Sequence, residues 1–355
     1  MKIAISKSLL ENMLLQAQPF LEKKDTSQIT SHVLLEVNTN TLILKATDHE
    51  IGFIARTDNI QLEETGDTTA NGKKLLDIIR ILKDGDIILE TLDNILYIHQ
   101  GHSNFKLPVF NAREYPSFPT VQDKPKIEID SQMLIESLKK ITPATDSNNP
   151  KFELNGALID IKKDNINFVS TDTRRLALVK IEKENESELS IIIPKKAIIE
   201  IQKLFFDNIE IYYDNTYLLI KSKQYTFFTK LINGKFPEYN RIIPKETVHN
   251  IKLPKAALIE AIKQITTISN DMKIIFESSS IIFESLSDDN IEAKTEIDFD
   301  CGFEEPFTMA VNSRYILDFL AHINSIEFEM GFNEPSMPFL LTDGNFKTII
   351  MPIVI

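Results

Sequence analysis

Apolar residues recur at helical spacing in six short stretches of two alternating kinds. The first kind is SKSLLENMLLQAQ at 6–18, SQMLIESLKKI at 131–141 and PKAALIEAIKQI at 254–265. The second is GKKLLDIIRIL at 72–82, PKKAIIEIQKLF at 194–205 and NSRYILDFLAHI at 312–323. Apolar positions three and four residues apart predict amphipathic helices. At 72–82 the stripe is Leu75, Ile78, Ile79 and Leu82, and Lys73, Lys74, Arg80 and Lys83 lie opposite. Leu9, Leu134 and Leu258 are equivalent positions spaced by about 125 residues, well beyond the roughly 20–50 residues of a solenoid repeat and close to a domain length.

Between the helices the period changes to two. VLLEVNTNTLILKATD (33–48) alternates around Asn38, Thr39 and Asn40, and DIILETLDNILYIHQ (86–100) around Asp93 and Asn94. NIEIYYDNTYLLIKS (208–222) turns at Asp214 and Asn215, and FLLTDGNFKTIIMPI (339–353) at Asp343 and Gly344. Asx-rich and Asp-Gly pairs between alternating apolar runs predict β-hairpins. Each repeat therefore reads as two βαβββ halves, and the chain as an α+β protein of three tandem domains. The Pro-marked linkers at 111–125 and 234–250 set the expected boundaries: 1–122, 123–247 and 248–355. Each helix turns its apolar stripe to a sheet, so helices and strands should form separate layers.

Charge sharpens this picture. The chain of 355 residues has a net charge of −13, which taken alone argues against binding phosphate. Yet the predicted helices are net positive in Lys, Arg, Asp and Glu, so the remainder is more acidic than the total. Helices sharing one face would attract nucleic acid there while the outer surface repels it. The alternative is that lysine is simply a good exposed helix former. No apolar run approaches a membrane span, and Glu11 and Asn12 interrupt the first run, against a signal peptide. A single cysteine, Cys301, excludes an internal disulfide framework and fits a reducing cytoplasm.

Catalytic motifs are missing. There is no GxxxxGK[ST], GxGxxG or GxSxG, and the six histidines lack metal-ligand spacing. Cys301, in DFDCGFEEP, has acidic neighbours that raise a thiol pKa. The Asp-bearing segments ATDHE (46–50), STDT (170–173) and SDDN (287–290) follow strands at corresponding places in the repeats. A two-metal nuclease needs carboxylates converging on one site. Equivalent positions in separate domains do not converge, so these segments read as turns in which Thr and Asp bond local backbone. The expectation is no catalytic residue, no metal and no cofactor.

FVSTDTRRLALVKI (168–181), with KFELNGALI (151–159), GKFPEYNRIIP (234–244), TIIMPIVI (348–355) and ATDHEIGFIAR (46–56), resembles the bacterial DNA polymerase III beta subunit, the sliding clamp. The resemblance covers the whole chain. It implies three clamp domains per chain and a head-to-tail homodimer closed into a ring, with helices inside, sheets outside and duplex DNA through the hole. It implies sequence-independent, topological DNA binding, tethering of the replicative polymerase, a clamp loader and other proteins by short peptides, and no catalysis.

The matching peptide-pocket residues are Leu154, Thr171, Thr173, Arg174, Arg175, Leu176, Pro237, Arg241, Ile242, Pro338, Ile349, Ile350, Met351 and Pro352. Residues expected to face DNA are Lys24, Lys73, Lys74, Arg80, Lys83, Lys139, Lys140, Lys195, Lys196, Lys203, Lys255, Lys263 and Arg314. Phe105 and Leu107 of the first domain are expected to meet Thr267 and Ile268 of the third across the dimer seam. Two departures stand out: Thr173-Arg174 where the family commonly has Gly-His, and Val354 where it often has Arg.

Overall fold

The computed structural model describes residues 1–206, 208–287 and 291–354. The first domain runs β1 (Lys2–Ser6), α1 (Lys7–Ala17), β2 (His32–Asn38), β3 (Thr41–Thr47), β4 (Ile51–Thr57) and β5 (Gln61–Glu64). It continues with β6 (Gly66–Asn71), α2 (Gly72–Ile81), β7 (Asp86–Leu92), β8 (Ile95–Gln100) and β9 (Ser103–Pro108). The second holds β10 (Lys126–Ile127), α3 (Ser131–Ile141), β11 (Gly156–Ile161), β12 (Asn165–Thr171), β13 (Arg175–Glu182), β14 (Leu189–Pro194), α4 (Lys195–Leu204), β15 (Glu210–Tyr213), β16 (Tyr217–Lys221) and β17 (Tyr225–Lys230). The third holds β18 (His249–Pro254), α5 (Lys255–Thr266), β19 (Asp271–Phe276), β20 (Ser280–Ser285), β21 (Lys294–Asp298), β22 (Phe307–Asn312), α6 (Ser313–Ala321), β23 (Glu327–Phe332), β24 (Phe339–Asp343) and β25 (Phe346–Ile350).

The expected βαβββ halves are present, with one rule the alternation did not reveal. In every domain the first strand of each half joins the sheet of the other half. Thus β1 pairs with β7 and β6 with β2; β10 pairs with β15 and β14 with β11; β18 pairs with β23 and β22 with β19. Each helix is therefore a crossover between two sheets, and its apolar stripe is closed in. Leu10, Met13, Leu14 and Ala17 of α1 are buried, as are Leu75, Leu76 and Ile79 of α2. Caps fix the helix starts. Ser6 accepts from the Leu9 N–H, Asn71 from that of Lys74, Asp130 from that of Met133 and Asn312 from that of Arg314.

The chain forms two compact units, Met1–Ile135 with Ile199–Leu231, and Glu136–Ile198 with Ile232–Ile355. The first contains a five-stranded sheet, β5-β1-β7-β8-β9, and an eight-stranded sheet, β10-β15-β16-β17-β4-β3-β2-β6. The second contains an eight-stranded sheet, β14-β11-β12-β13-β25-β24-β23-β18, and a four-stranded sheet, β21-β20-β19-β22. In both eight-stranded sheets the third long strand of one half pairs with the third of a half from the next domain: β4 with β17, and β13 with β25. The corresponding strands of the two remaining halves, β9 and β21, are sheet edges.

The expected hairpins form where Asx and Gly permit the turn. Thr39 and Asn40 have φ 47 and 84, and Asp93 and Asn94 have φ 47 and 62. Positive φ at both central residues matches the right-handed twist of the flanking strands. Asp214 Oδ1 accepts from the N–H groups of Thr216 and Tyr217, and Gly344 has φ 57. Among the described residues no helix is long and apolar enough to cross a membrane.

Candidate partner groove and basic helix faces

The Asp-bearing segments are turns of one design. Thr47 Oγ1 donates to the Ile51 carbonyl (2.8 Å) and accepts the His49 N–H (3.1 Å), while Asp48 Oδ1 accepts the Glu50 and Ile51 N–H groups. In the second domain Thr171 Oγ1 donates to the Arg175 carbonyl (2.6 Å) and accepts the Thr173 N–H (3.2 Å), while Asp172 Oδ1 accepts the Arg174 and Arg175 N–H groups. His49 and Thr173, at the same position, have φ 72 and 75. The carboxylates thus hold backbone, as expected. Of the third segment, 288–290 lie outside the described residues. Cys301 has its thiol pushed up to about 11, more by burial than by the neighbouring Asp300.

The second turn stands at the end of an apolar sheet face. Strand alternation puts Leu176 and Leu178 of β13, Val169 of β12, Leu158 of β11 and Ile349 of β25 on one side. Leu154, Ile192, Ile232, Phe236 and Tyr239 complete this buried cluster, with Ile243 and Leu340 packed against it. Of the expected pocket residues, Leu154, Thr171, Leu176 and Ile349 are buried. Pro237, Pro338 and Pro352 are half-buried, and Thr173, Arg174, Arg241, Ile242 and Met351 are exposed. Thr171, Leu176 and Ile349 lie on one rung: Leu176 pairs with Thr171 on one side and Ile349 on the other. The Met351 N–H donates to the Arg174 carbonyl (2.9 Å) and Arg241 pairs with Glu238 (2.6 Å).

Two expected pocket residues do other work. Ile350 is fully buried, and alternation turns it to the sheet face opposite Ile349, so it is core rather than groove wall. Arg175 is occupied within the chain. Its Nε lies 3.0 Å from Asp172 and its Nη1 2.6 Å from Asp318; its Nη2 donates to the Pro143 carbonyl, and its guanidinium stacks 4.5 Å from the Tyr315 ring centroid. That leaves Arg174 as the exposed arginine of the turn. Leu178, Phe236 and Tyr239 were missed by sequence reasoning. The period-two continuation from Leu176 pointed to Leu178; the other two sit outside regular strands.

The basic residues divide similarly. Lys24, Lys73, Lys74, Arg80, Lys83, Lys139, Lys196, Lys203, Lys263 and Arg314 are exposed. Among them Arg80 pairs with Glu11 (3.8 Å), Lys203 with Glu200 (2.9 Å) and Arg314 Nε with Asn270 (2.8 Å). Lys140 is half-buried with Nζ 5.7 Å above the Phe346 ring. Lys195 and Lys255 are corrections. Each opens a helix and donates to a carbonyl just beyond the other helix of its domain, Lys195 to Thr145 (2.6 Å) and Lys255 to Ile323 (2.7 Å). Lys7, opening α1, donates to a carbonyl within the last turn of α2, that of Arg80 (3.3 Å). Helix C-termini leave carbonyls without partners, and a lysine meets both that need and the negative dipole end. Of the residues expected at a dimer seam, Thr267 and Ile268 are exposed and Phe105 is half-exposed, but Leu107 is already buried by its own chain.

Three family models cover the chain in order. They are the N-terminal, central and C-terminal domains of the DNA polymerase III beta subunit, matching residues 1–119, 128–238 and 240–354. The chain belongs to the DNA polymerase III beta subunit family. It is 40% identical to the Helicobacter pylori beta sliding clamp and 28% identical to that of Caulobacter vibrioides, over at least 99% of the chain and all of each relative. A crystal structure of the Helicobacter pylori beta clamp bound to a DNA ligase peptide superposes with TM-score 0.94 at 40% identity, each chain covered completely. The three-domain α+β architecture is that of the beta subunit family, and the protein is a sliding clamp, a processivity factor with no catalysis of its own.

Proposed function

We propose that two copies of this beta subunit close head to tail into a ring around duplex DNA and tether polymerase, clamp loader and other partners through the groove at Leu176 and Ile349. The carrying observation is the strand-pairing rule. Third strands pair across domain boundaries at β4–β17 and β13–β25, and β9 and β21 are the two left open. Pairing β9 of one copy with β21 of another would extend the same rule between chains. A long open edge invites such pairing, and a heterologous contact that closes by rotation gives a ring. Three domains divided near 122 and 247 would give six per ring, with sheets outside and helices lining the hole. The exposed Lys24, Lys73, Lys74, Lys83, Lys139 and Lys263 would then contact phosphate without reading sequence.

The relative's complex with a DNA ligase peptide supports the second half of this reading. An apolar groove with exposed donors at its mouth suits a short peptide with Leu and Phe anchors. The role belongs in the cytoplasm, with the chromosome. The test is retention. Loaded onto nicked circular DNA, the protein should stay bound through gel filtration at high salt and be lost when the circle is linearised. Equal retention on both forms overturns topological binding.

A further inference from the structure

The sheet face that carries the groove does not end at the groove. Beyond the rung of Leu176 and Ile349, the next rung holds Leu178, with Val169 on one side and Lys347 on the other. The rung after that is polar: Lys180 opposite Asn167, which in turn faces Asp160. One face of β13 thus reads Leu176, Leu178, Lys180, apolar to basic in steps of roughly 7 Å. The segment carrying Tyr239 and Ile243 covers it, and Tyr239 donates to Asp160 at 2.8 Å. A pocket of about 680 Å³ opens there, lined among others by Leu178, Lys180, Tyr239, Ile243 and Lys347.

The charges in this pocket are unevenly matched. Asp160 is paired with Lys162 (3.2 Å) and Glu182 with Lys180 (2.7 Å). Lys347, half-buried beside Leu178, has no ion-pair partner among the described residues. A half-buried ammonium beside Leu178, in a pocket otherwise lined mainly by Asn, Lys and Glu182 side chains, is less screened than a fully exposed one and favours a carboxylate.

We propose that this pocket is a further seat of the partner groove, and that Lys347 there takes an Asp or Glu side chain flanking the apolar anchors of a bound peptide. The inference rests on the groove reading given above. Lys347 lies two residues from Ile349 along one strand face, so an extended peptide anchored over Ile349 brings a side chain two residues away over Lys347. Ile243 and Leu178 would support the aliphatic stems of both partners. A partner's affinity would then depend on acidic flanks as well as on its anchors.

The experiment is calorimetry of the full-length protein with matched peptides. All carry Gln-Leu-Ser-Leu-Phe; one has Asp two residues before the first Leu, one has Asp two residues after the Phe, and one has Ser at both places. One acidic peptide should bind about five- to tenfold tighter than the neutral one, an advantage that shrinks with added salt. In Lys347→Gln the ratio should fall to about one. In Lys347→Glu the preference should pass to a peptide with Lys at that flank, and a thermal melt of each variant checks that it is folded. Equal affinities for all three peptides, or an acidic preference that survives both substitutions, overturns the inference and leaves the groove standing. If no peptide binds the unmodified protein, the groove reading falls and this one with it.

Discussion

Arg175 reaches Asp318 at 2.6 Å through Nη1 and Asp172 at 3.0 Å through Nε, so one guanidinium fastens the turn after β12 to helix α6. Its side chain is 9% exposed, while that of Asp318 is 41% exposed. Removing the arginine strands Asp172 and the Pro143 carbonyl together, whereas removing Asp318 lets a single arginine nitrogen turn to water. Arg175→Ala should therefore destabilise its unit by about 2–3 kcal/mol and Asp318→Ala by about 1 kcal/mol or less. Chemical denaturation followed by fluorescence compares them; equal losses would refute the asymmetry. Arg175→Lys should fall nearer the alanine variant, because an ammonium cannot span three acceptors and a ring.

Thr173 is a β-branched residue at φ 75, held by its N–H to Thr171 Oγ1 at 3.2 Å. Left-handed backbone costs an L-residue about 1–2 kcal/mol, and glycine offsets part of that relief by its larger unfolded-state entropy. Thr173→Gly should raise stability by about 0.5–1 kcal/mol and widen the groove mouth. A lower melting temperature for Thr173→Gly would mean that the threonine side chain makes a compensating contact.

His32 is buried, with Nδ1 3.3 Å from Thr69 Oγ1 and its ring 4.5 Å from that of Phe110. Burial, and then the charge of Lys74, lower its pKa from 6.5 to about 4. The folded state resists the proton that the unfolded chain accepts. The contribution of His32 is therefore complete above about pH 6.5 and is lost as pH falls toward 4, by an amount on the order of 2–3 kcal/mol. His32→Gln should flatten the stability profile between those two values. An unchanged slope in that window would assign the acid sensitivity to other groups.

The repeats, helices and hairpins were legible because each follows from a local period or a local turn residue. Alternation alone puts Leu176 and Leu178 on one side of their strand; that Ile349 shares this face follows only from the pairing of β13 with β25. What stayed hidden depends on pairing between distant segments. Nothing local in PKKAIIEIQKLF says that Lys195 reaches the Thr145 carbonyl rather than solvent. Nothing in STDTRR says that Arg175 points at Asp318 while Arg174 makes no such ion pair among the described residues. The exchange of first strands between halves is equally non-local, and so is the pairing of β4 with β17 and of β13 with β25, which leaves β9 and β21 as edges.

Those edges give the last prediction. Ile268, 40% exposed, follows α5 and its cap residue Thr267, and Phe105 lies half-exposed on β9. Leu107 cannot serve as a second anchor without leaving its own core, so the seam should depend on Phe105 and Ile268 together with strand pairing. Ile268→Asp places a carboxylate in a contact with no partner for it, and burying an unpaired charge costs several kcal/mol. Since the residue is exposed in the single chain, the variant should fold normally, with an unchanged melting profile at low concentration. Sedimentation should then find monomers at concentrations where the unmodified protein is a dimer. Phe105→Ala should weaken the dimer less, by about 1–3 kcal/mol, through lost apolar burial alone. An Ile268→Asp protein that sediments as a stable dimer would move the seam away from α5 and leave the β9–β21 pairing to be tested by charges placed on the strands themselves.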